Sequence, residues 1–150
     1  MSTIELRPAT LSDLETIQAI AKEAYTLYVP RIGREPAPMR ADFSSAIHKQ
    51  HVTVATRDVH VLGFVVFFER DAHMHLENVA VAPDAHGAGV GSALVNHVEN
   101  VAQAQRLGSV ELYTNEKMIE NVPWYLARGY EEVGRWEEDG FNRIFFRKAI

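Results

Sequence analysis

The stretch NVAVAPDAHGAGVGSALVNHV, residues Asn78–Val98, joins an alternating apolar run to a longer run whose apolar residues recur at helical spacing. Between the two runs stand Gly87, Gly89 and Gly91, separated only by Ala88 and Val90. Glycine weakens the interior of any regular element, so such a cluster implies a sharp turn or a close approach to the backbone. Downstream, Leu94, Val95, Val98, Val101 and Ala102 trace one face of a helix beginning near Ser92, and Gly108 stands where a C-terminal stop is expected. Upstream, VTVAT, VLGFVVFF and MHLENVAVA are β-branched and aromatic runs separated by polar or turn-like residues. They predict three successive strands, as an antiparallel meander.

The same reading extends to both ends of the chain. TIELR alternates and stops at Pro8, as a short strand does. Thr10 with Asp13, or Ser12 with Glu15, fits a capping box for a helix carrying Leu14, Ile17, Ala21, Ala24, Tyr25 and Tyr28. VPRIGREPAPMR, Val29–Arg40, reads as irregular and leads to a short helix over about Asp42–Lys49. Beyond the glycines, VELYT predicts a strand. Asn121 can cap a short helix reaching about Arg128, with Pro123 in its first turn, where a missing N–H costs little. GYEEVGRW and FNRIFFRK flank Asp139-Gly140, a strong hairpin signal. The order βα(α)βββαβαββ describes an α/β (α+β) fold: a mixed, mostly antiparallel sheet of about six to seven strands flanked by about four helices.

Composition narrows the function. A length of 150 residues with 47% hydrophobic side chains suits one domain, 1–150, around a single core. The formal charge of −5, from 20 acidic and 15 basic residues without a basic run, argues against nucleic acid and anionic membrane as partners. No apolar run nears the roughly 18 residues needed to span a bilayer, and MSTIELRP has no signal-peptide pattern, so a cytoplasmic location is expected. Without cysteine, there are no disulfides, thiolate nucleophiles or Cys-based metal sites. No metal is expected.

Three readings of residues His86–Ser92 compete. The glycines can let a helix start lie close to a sheet. They can form a dinucleotide-type turn, although Leu94 stands three residues after Gly91 where another glycine is needed, and no GK[ST] follows. Or they can leave main-chain amides at a helix N-terminus open to an anion such as a phosphate. The helix dipole then attracts the anion without any basic side chain.

On these residues the chain resembles the acyl-CoA signature of the GNAT superfamily of acetyl-CoA-dependent N-acetyltransferases. In that signature a strand ending in V-x-P leads into [Q/R]-x-x-G-x-[G/A], matched here over His86–Gly91, with His86 where the family usually has Gln or Arg. IELRPATLSDLETIQAI is similar to the family's opening strand and helix, NVPWYLARGYEEVG to its N-x(3,7)-Y-x-x-x-G-[FY] segment, and EDGFNRIFFRK to the last hairpin of a subgroup. Residues from about Val29 to Gln50 lie outside the shared pattern.

The resemblance implies the GNAT fold and transfer of an acetyl group from acetyl-CoA, as co-substrate, to a primary amine of a small molecule or peptide by direct attack. An alkyl ammonium has a pKa near ~10, so a base or a water relay must take its proton. Strand alternation puts His75, Glu77, Val79 and Val81 on one face. The family draws its base or water-positioning group from positions matching Glu77 and His75. Glu77 is preferred because a carboxylate also holds a cation, and a free imidazole titrates near ~6.5. The resemblance further implies that the Val79 N–H serves the thioester carbonyl, and that Val79, Ala80 and Val81 offer main chain to the pantetheine arm as to an added strand. Residues His86, Gly87, Ala88, Gly89, Val90, Gly91 and Ser92 would hold the pyrophosphate. Tyr125 would protonate the departing thiolate, and Asn121 would also touch CoA.

Acceptor choice is expected from the segment after the first helix and from the last hairpin. Tyr28, Arg31, Glu77 and Trp136 are the foremost candidates, with Tyr25, Arg34 and Arg40 beside them. A homodimer is compatible with the sequence but not fixed by it. A non-catalytic acyl-CoA sensor or interaction module is the alternative, against which the joint presence of Glu77 and Tyr125 weighs.

Overall fold

In the computed structural model, which describes residues 3–150, the chain forms seven strands and five α-helices. Strand β1 spans Glu5–Pro8, β2 Val52–Arg57, β3 His60–Arg70, β4 His73–Val81, β5 Ser109–Asn115, β6 Glu131–Glu138 and β7 Phe141–Ala149. The helices are α1 Leu14–Thr26, α2 Val29–Ile32, α3 Phe43–His48, α4 Val90–Ala104 and α5 Asn121–Ala127. Strand order is β1-β2-β3-β4-β5-β7-β6, with β4 and β5 parallel and β1–β2, β2–β3, β5–β7 and β6–β7 antiparallel. The expected element order therefore stands, with α2 as one short helix more than expected.

The chain groups into two compact units. The first holds the residues as far as Phe67 and then Asn78–His97. Its entry is fixed by Asp13: the carboxylate accepts the Thr10 amide at 2.8 Å and both arms of the Arg7 guanidinium at 2.8 and 2.9 Å. Of the two candidate capping pairs, Thr10 with Asp13 is the one realised at that junction. Ile17, Ile20 and Ala21 on α1, Val54 on β2, and Phe64 and Val66 on β3 are buried, and Phe43 of α3 meets the Phe64 ring edge-on at 5.2 Å. Asp42 caps α3 by accepting the Ser45 amide at 3.0 Å.

The second unit holds Phe68–Glu77 and Val98–Ile150. Val98 and Ala102 of α4, Val110 and Leu112 of β5, and Ile144 and Phe146 of β7 are buried. Helix α4 ends at Ala104 through Arg106, not through Gly108: Arg106 takes φ 60°, and the Leu107 amide reaches back to the Ala102 carbonyl at 2.9 Å. At the other end of the unit, Asp139 and Gly140 both have positive φ, 55° and 79°, and Glu138 faces Phe141 across the turn. The tight hairpin expected there is what forms.

Candidate active site

In the first unit the site elements are the end of β4 and the loop leading into α4. The Ala82 amide donates to the Leu62 carbonyl at 2.8 Å, so the chain at Ala82 faces β3. Because successive residues of a strand turn their N–H and C=O to opposite edges, Val81 and Val79 present their main-chain groups to the edge away from β3. On that edge the Tyr25 hydroxyl, from α1, donates to the Val79 carbonyl at 2.8 Å. Close approach of β3 to β4 depends on Gly63. A Cβ there would lie 2.7 Å from the Ala80 carbonyl oxygen and 3.0 Å from the Val90 side chain.

After β4, Pro83–Ala85 make one 3-10 turn, and the chain then passes through Gly87 and Gly89 at φ 84° and 81°. These are left-handed conformations that residues with side chains rarely adopt. A Cβ at either glycine would meet nothing within 4 Å, so the loop surface is open above them. At this end of α4 the Ala93 amide donates to the Gly89 carbonyl at 3.0 Å, and before it the Ala88 amide donates to the Ala85 carbonyl at 3.3 Å. Ala85, Val90, Leu94 and Val95 are buried and anchor the loop from below. The result is an open loop at the positive end of a 15-residue helix, with hydrogen atoms at Gly87 and Gly89 where side chains would intrude. A phosphate fits that chemistry, and His86 on its rim is exposed.

In the second unit, parallel pairing of His75 with Glu111 brings the neighbouring outward-facing residues Glu77 and Tyr113 together. His75 Nε2 and Glu77 Oε2 are 2.5 Å apart, and the Tyr113 hydroxyl donates to Glu77 Oε1 at 3.2 Å. The His75 hydrogen bond, foremost, holds the Glu77 carboxyl below the usual carboxylate range against the opposing effect of burial; Tyr113 and the Arg70 charge add to it. The His75 side chain is only 6% exposed against 32% for Glu77, so the carboxylate is the outer member of the pair. Burial, followed by the Glu77 charge, pushes the Tyr113 hydroxyl up to about 12.

Tyr125, on α5, is buried among Trp124, Tyr130 and Phe146, with ring centroids 5.0, 5.7 and 5.9 Å away. That burial raises the pKa of its phenol well above the ordinary value, so it keeps its proton throughout the working pH range. Asn121 is not the helix cap. It is the first residue of α5, Glu120 precedes it as cap, and its side-chain amide donates to Thr114 Oγ1 at 3.0 Å. Trp136 lies flat on Phe145, with centroids 3.7 Å apart and planes at 10°, and occupies the space a side chain at Gly134 would need. In the first unit Tyr28 is buried, with the Arg31 guanidinium 5.3 Å above its ring.

The structure thus joins His75 to Glu77 and Tyr28 to Arg31, and sets Val79 and Val81 on one edge of β4. Tyr113, Arg143 and Gly63 were missed. Gly63 did carry a signal, as a glycine inside a β-branched and aromatic run. Tyr113, 36 residues from Glu77, carried none.

Residues 14–130 match the model of the acetyltransferase (GNAT) family, and the chain belongs to that family. No curated protein sequence matches it. Among solved structures it is similar to the PaiA N-acetyltransferase of Thermoplasma acidophilum in complex with coenzyme A, with TM-score 0.84, 17% identity and 99% of each chain covered. It is also similar to the ribosomal-protein-S18-alanine N-acetyltransferase of Escherichia coli, with TM-score 0.78, 16% identity, and 99% of this chain and 94% of that one covered. Arabidopsis thaliana Naa50, bound to the bisubstrate analogue CoA-Ac-MVNAL, matches with TM-score 0.75 and 14% identity over 98% of this chain and 99% of its own. At such identities the likeness carries the fold.

Proposed function

We propose that the chain works as a single N-acetyltransferase domain that moves the acetyl group of acetyl-CoA directly to a primary amine of a small molecule or peptide. The observation that carries this reading is the glycine loop at the N-terminus of α4, where Gly87 and Gly89 take left-handed conformations and a Cβ at either would meet nothing within 4 Å. A diphosphate suits it by charge and by size. Val79 and Val81 offer main chain to the pantetheine arm along the edge of β4 that faces away from β3. The Val79 N–H then stands ready for the carbonyl oxygen as negative charge gathers on it.

Glu77 is the residue we assign to the amine. Its carboxylate is ionised at neutral pH and outward-facing, so it attracts an ammonium and accepts its proton. That transfer is uphill from a free ammonium near ~10 and frees the lone pair that forms the C–N bond; the nitrogen is then cationic and strongly acidic, and its second proton passes to water. His75 stands behind Glu77 and fixes its plane. Tyr125, a phenol held protonated by burial, gives its proton to the departing thiolate, and the tetrahedral centre collapses to the amide. Tyr28, Arg31 and Trp136 are assigned to the body of the acceptor.

Free CoA released from acetyl-CoA across an amine panel tests the reading. Amine-dependent release abolished in Glu77→Gln supports it. Tight acetyl-CoA binding without release for any amine would leave a CoA sensor in its place.

A further inference from the structure

Resting on the acetyl-transfer reading above, we infer that Tyr113 and Arg143 are positioning residues of the same site: Arg143 clamps the Tyr113 ring, and the Tyr113 hydroxyl aims Glu77 at the acceptor amine. The placement follows from strand register. Tyr113 pairs with Phe145 across β5 and β7, with ring centroids 5.7 Å apart. Arg143 lies two residues before Phe145 and therefore on the same face, with its guanidinium 4.2 Å from the centre of the Tyr113 ring. Only 5% exposed, Arg143 is held from its other side by Glu138 at 2.6 Å and Asp139 at 3.6 Å, both at the tip of the last hairpin.

A glutamate side chain has three rotatable bonds, and a single hydrogen bond leaves it free to pivot. Glu77 has two, one on each oxygen: His75 from its own strand, Tyr113 from β5. Two bonds fix the carboxylate plane, and with it the direction in which the remaining lone pairs meet an incoming amine. Tyr113 suits the task because its hydroxyl remains a donor up to about pH 12. Arg143 suits it because a planar guanidinium stacks on a ring while its N–H groups engage carboxylates, which a lysine does not do equally well. The charged or titratable groups bearing on Glu77 are His75 on β4, Tyr113 on β5 and Arg70 at the end of β3. Arg143, Glu77 and Glu138 bear on Tyr113.

The test uses the full chain with Tyr113→Phe, Arg143→Met and the double variant. The readouts are kcat, the pH profile of kcat/KM for the amine, and the Glu77 carboxyl titration followed by 13C NMR. Removing the Tyr113 hydroxyl withdraws a bond that favours ionised Glu77, so the acidic limb and the NMR midpoint both move upward, by about one pH unit. Turnover falls by about tenfold, a loss of the size expected when the base is misaligned. Arg143→Met acts in the same direction, and the double variant is no slower than Tyr113→Phe alone, because both residues serve one contact. An unchanged acidic limb and NMR midpoint in Tyr113→Phe overturn the inference, as does full additivity in the double variant. When the wild type transfers acetyl groups and only these results fail, the acetyl-transfer reading stands. When no amine raises CoA release by the wild type, that reading falls and takes this role with it.

Discussion

The hydroxyl of Tyr25 donates to the main-chain carbonyl of Val79 at 2.8 Å, across 54 residues of sequence. That carbonyl lies on the edge of β4 proposed to receive the pantetheine arm, so the tyrosine satisfies a backbone group that the co-substrate's amide would otherwise meet. Tyr25→Phe removes the competing donor. Acetyl-CoA affinity is expected to rise by about two- to tenfold by calorimetry. Stability in urea is expected to fall by about 1 kcal/mol, the usual worth of one such bond. Weaker acetyl-CoA binding in the variant would contradict the assignment of that edge.

Gly63 holds β3 against β4 where Val79 and Val81 are displayed. A methyl group at 2.7 Å from the Ala80 carbonyl oxygen has nowhere to go except by moving backbone. Gly63→Ala is expected to cost about 1–3 kcal/mol in a urea titration. Acetyl-CoA binding should weaken with it, because the displaced strand is the one proposed to carry the co-substrate's partners. A variant as stable as the wild type would show that β3 and β4 have more room than this geometry allows.

Tyr125→Phe keeps the ring packing against Trp124, Tyr130 and Phe146 and removes only the hydroxyl proposed as the acid. Turnover is expected to drop by about 10²-fold, within the range of general acid catalysis. Acetyl-CoA affinity by calorimetry is expected to stay within about twofold, since the ring contacts remain. Unchanged turnover would remove Tyr125 from the mechanism.

Asp13 gives a pH signature of the fold apart from the site. Its carboxyl is held below the ordinary range, first by the Arg7 hydrogen bonds and then by the Thr10 amide, against the effect of burial. A depressed folded-state value means that the stabilisation is present above the unfolded carboxylate value, near ~3.9, and is lost as pH falls through the folded one. Wild type should therefore exceed Asp13→Asn in stability by about 1–2 kcal/mol at pH 7, with the gap closing below about pH 4. Urea midpoints of the two proteins measured from pH 7 to pH 2.5 check this, and a gap independent of pH would contradict it.

Features set by neighbours in sequence were legible in the chain itself. Asp139-Gly140 specified its turn because both residues tolerate positive φ, and the glycine row specified an open loop because it lay between two clear periodicities. Features set by contact across the sheet were not. Nothing near Tyr113 marks it as the partner of Glu77, because strand order brings β4 beside β5 only once the chain between them has folded. Arg106 displaced Gly108 as the left-handed residue of the α4 terminus, because the helix stops at Ala104 and the turn after it falls two residues before the glycine. Asn121 has the side chain of a good cap, yet it spends its amide on Thr114, a bond visible only once β5 and α5 are packed. His75, second to Glu77 as a candidate base, is buried and hydrogen-bonded to the Glu77 carboxylate, a pairing within one strand.

The central claim is that main-chain amides between Gly87 and Ser92 hold the diphosphate of the co-substrate. Its most direct measurement is a titration of coenzyme A into the 15N-labelled chain, followed amide by amide by NMR. The account predicts that the Gly87, Gly89, Val90 and Gly91 amides shift most and saturate together, with Val79 and Val81 following. Saturable binding that moves amides elsewhere and leaves those of Gly87–Ser92 in place would contradict it.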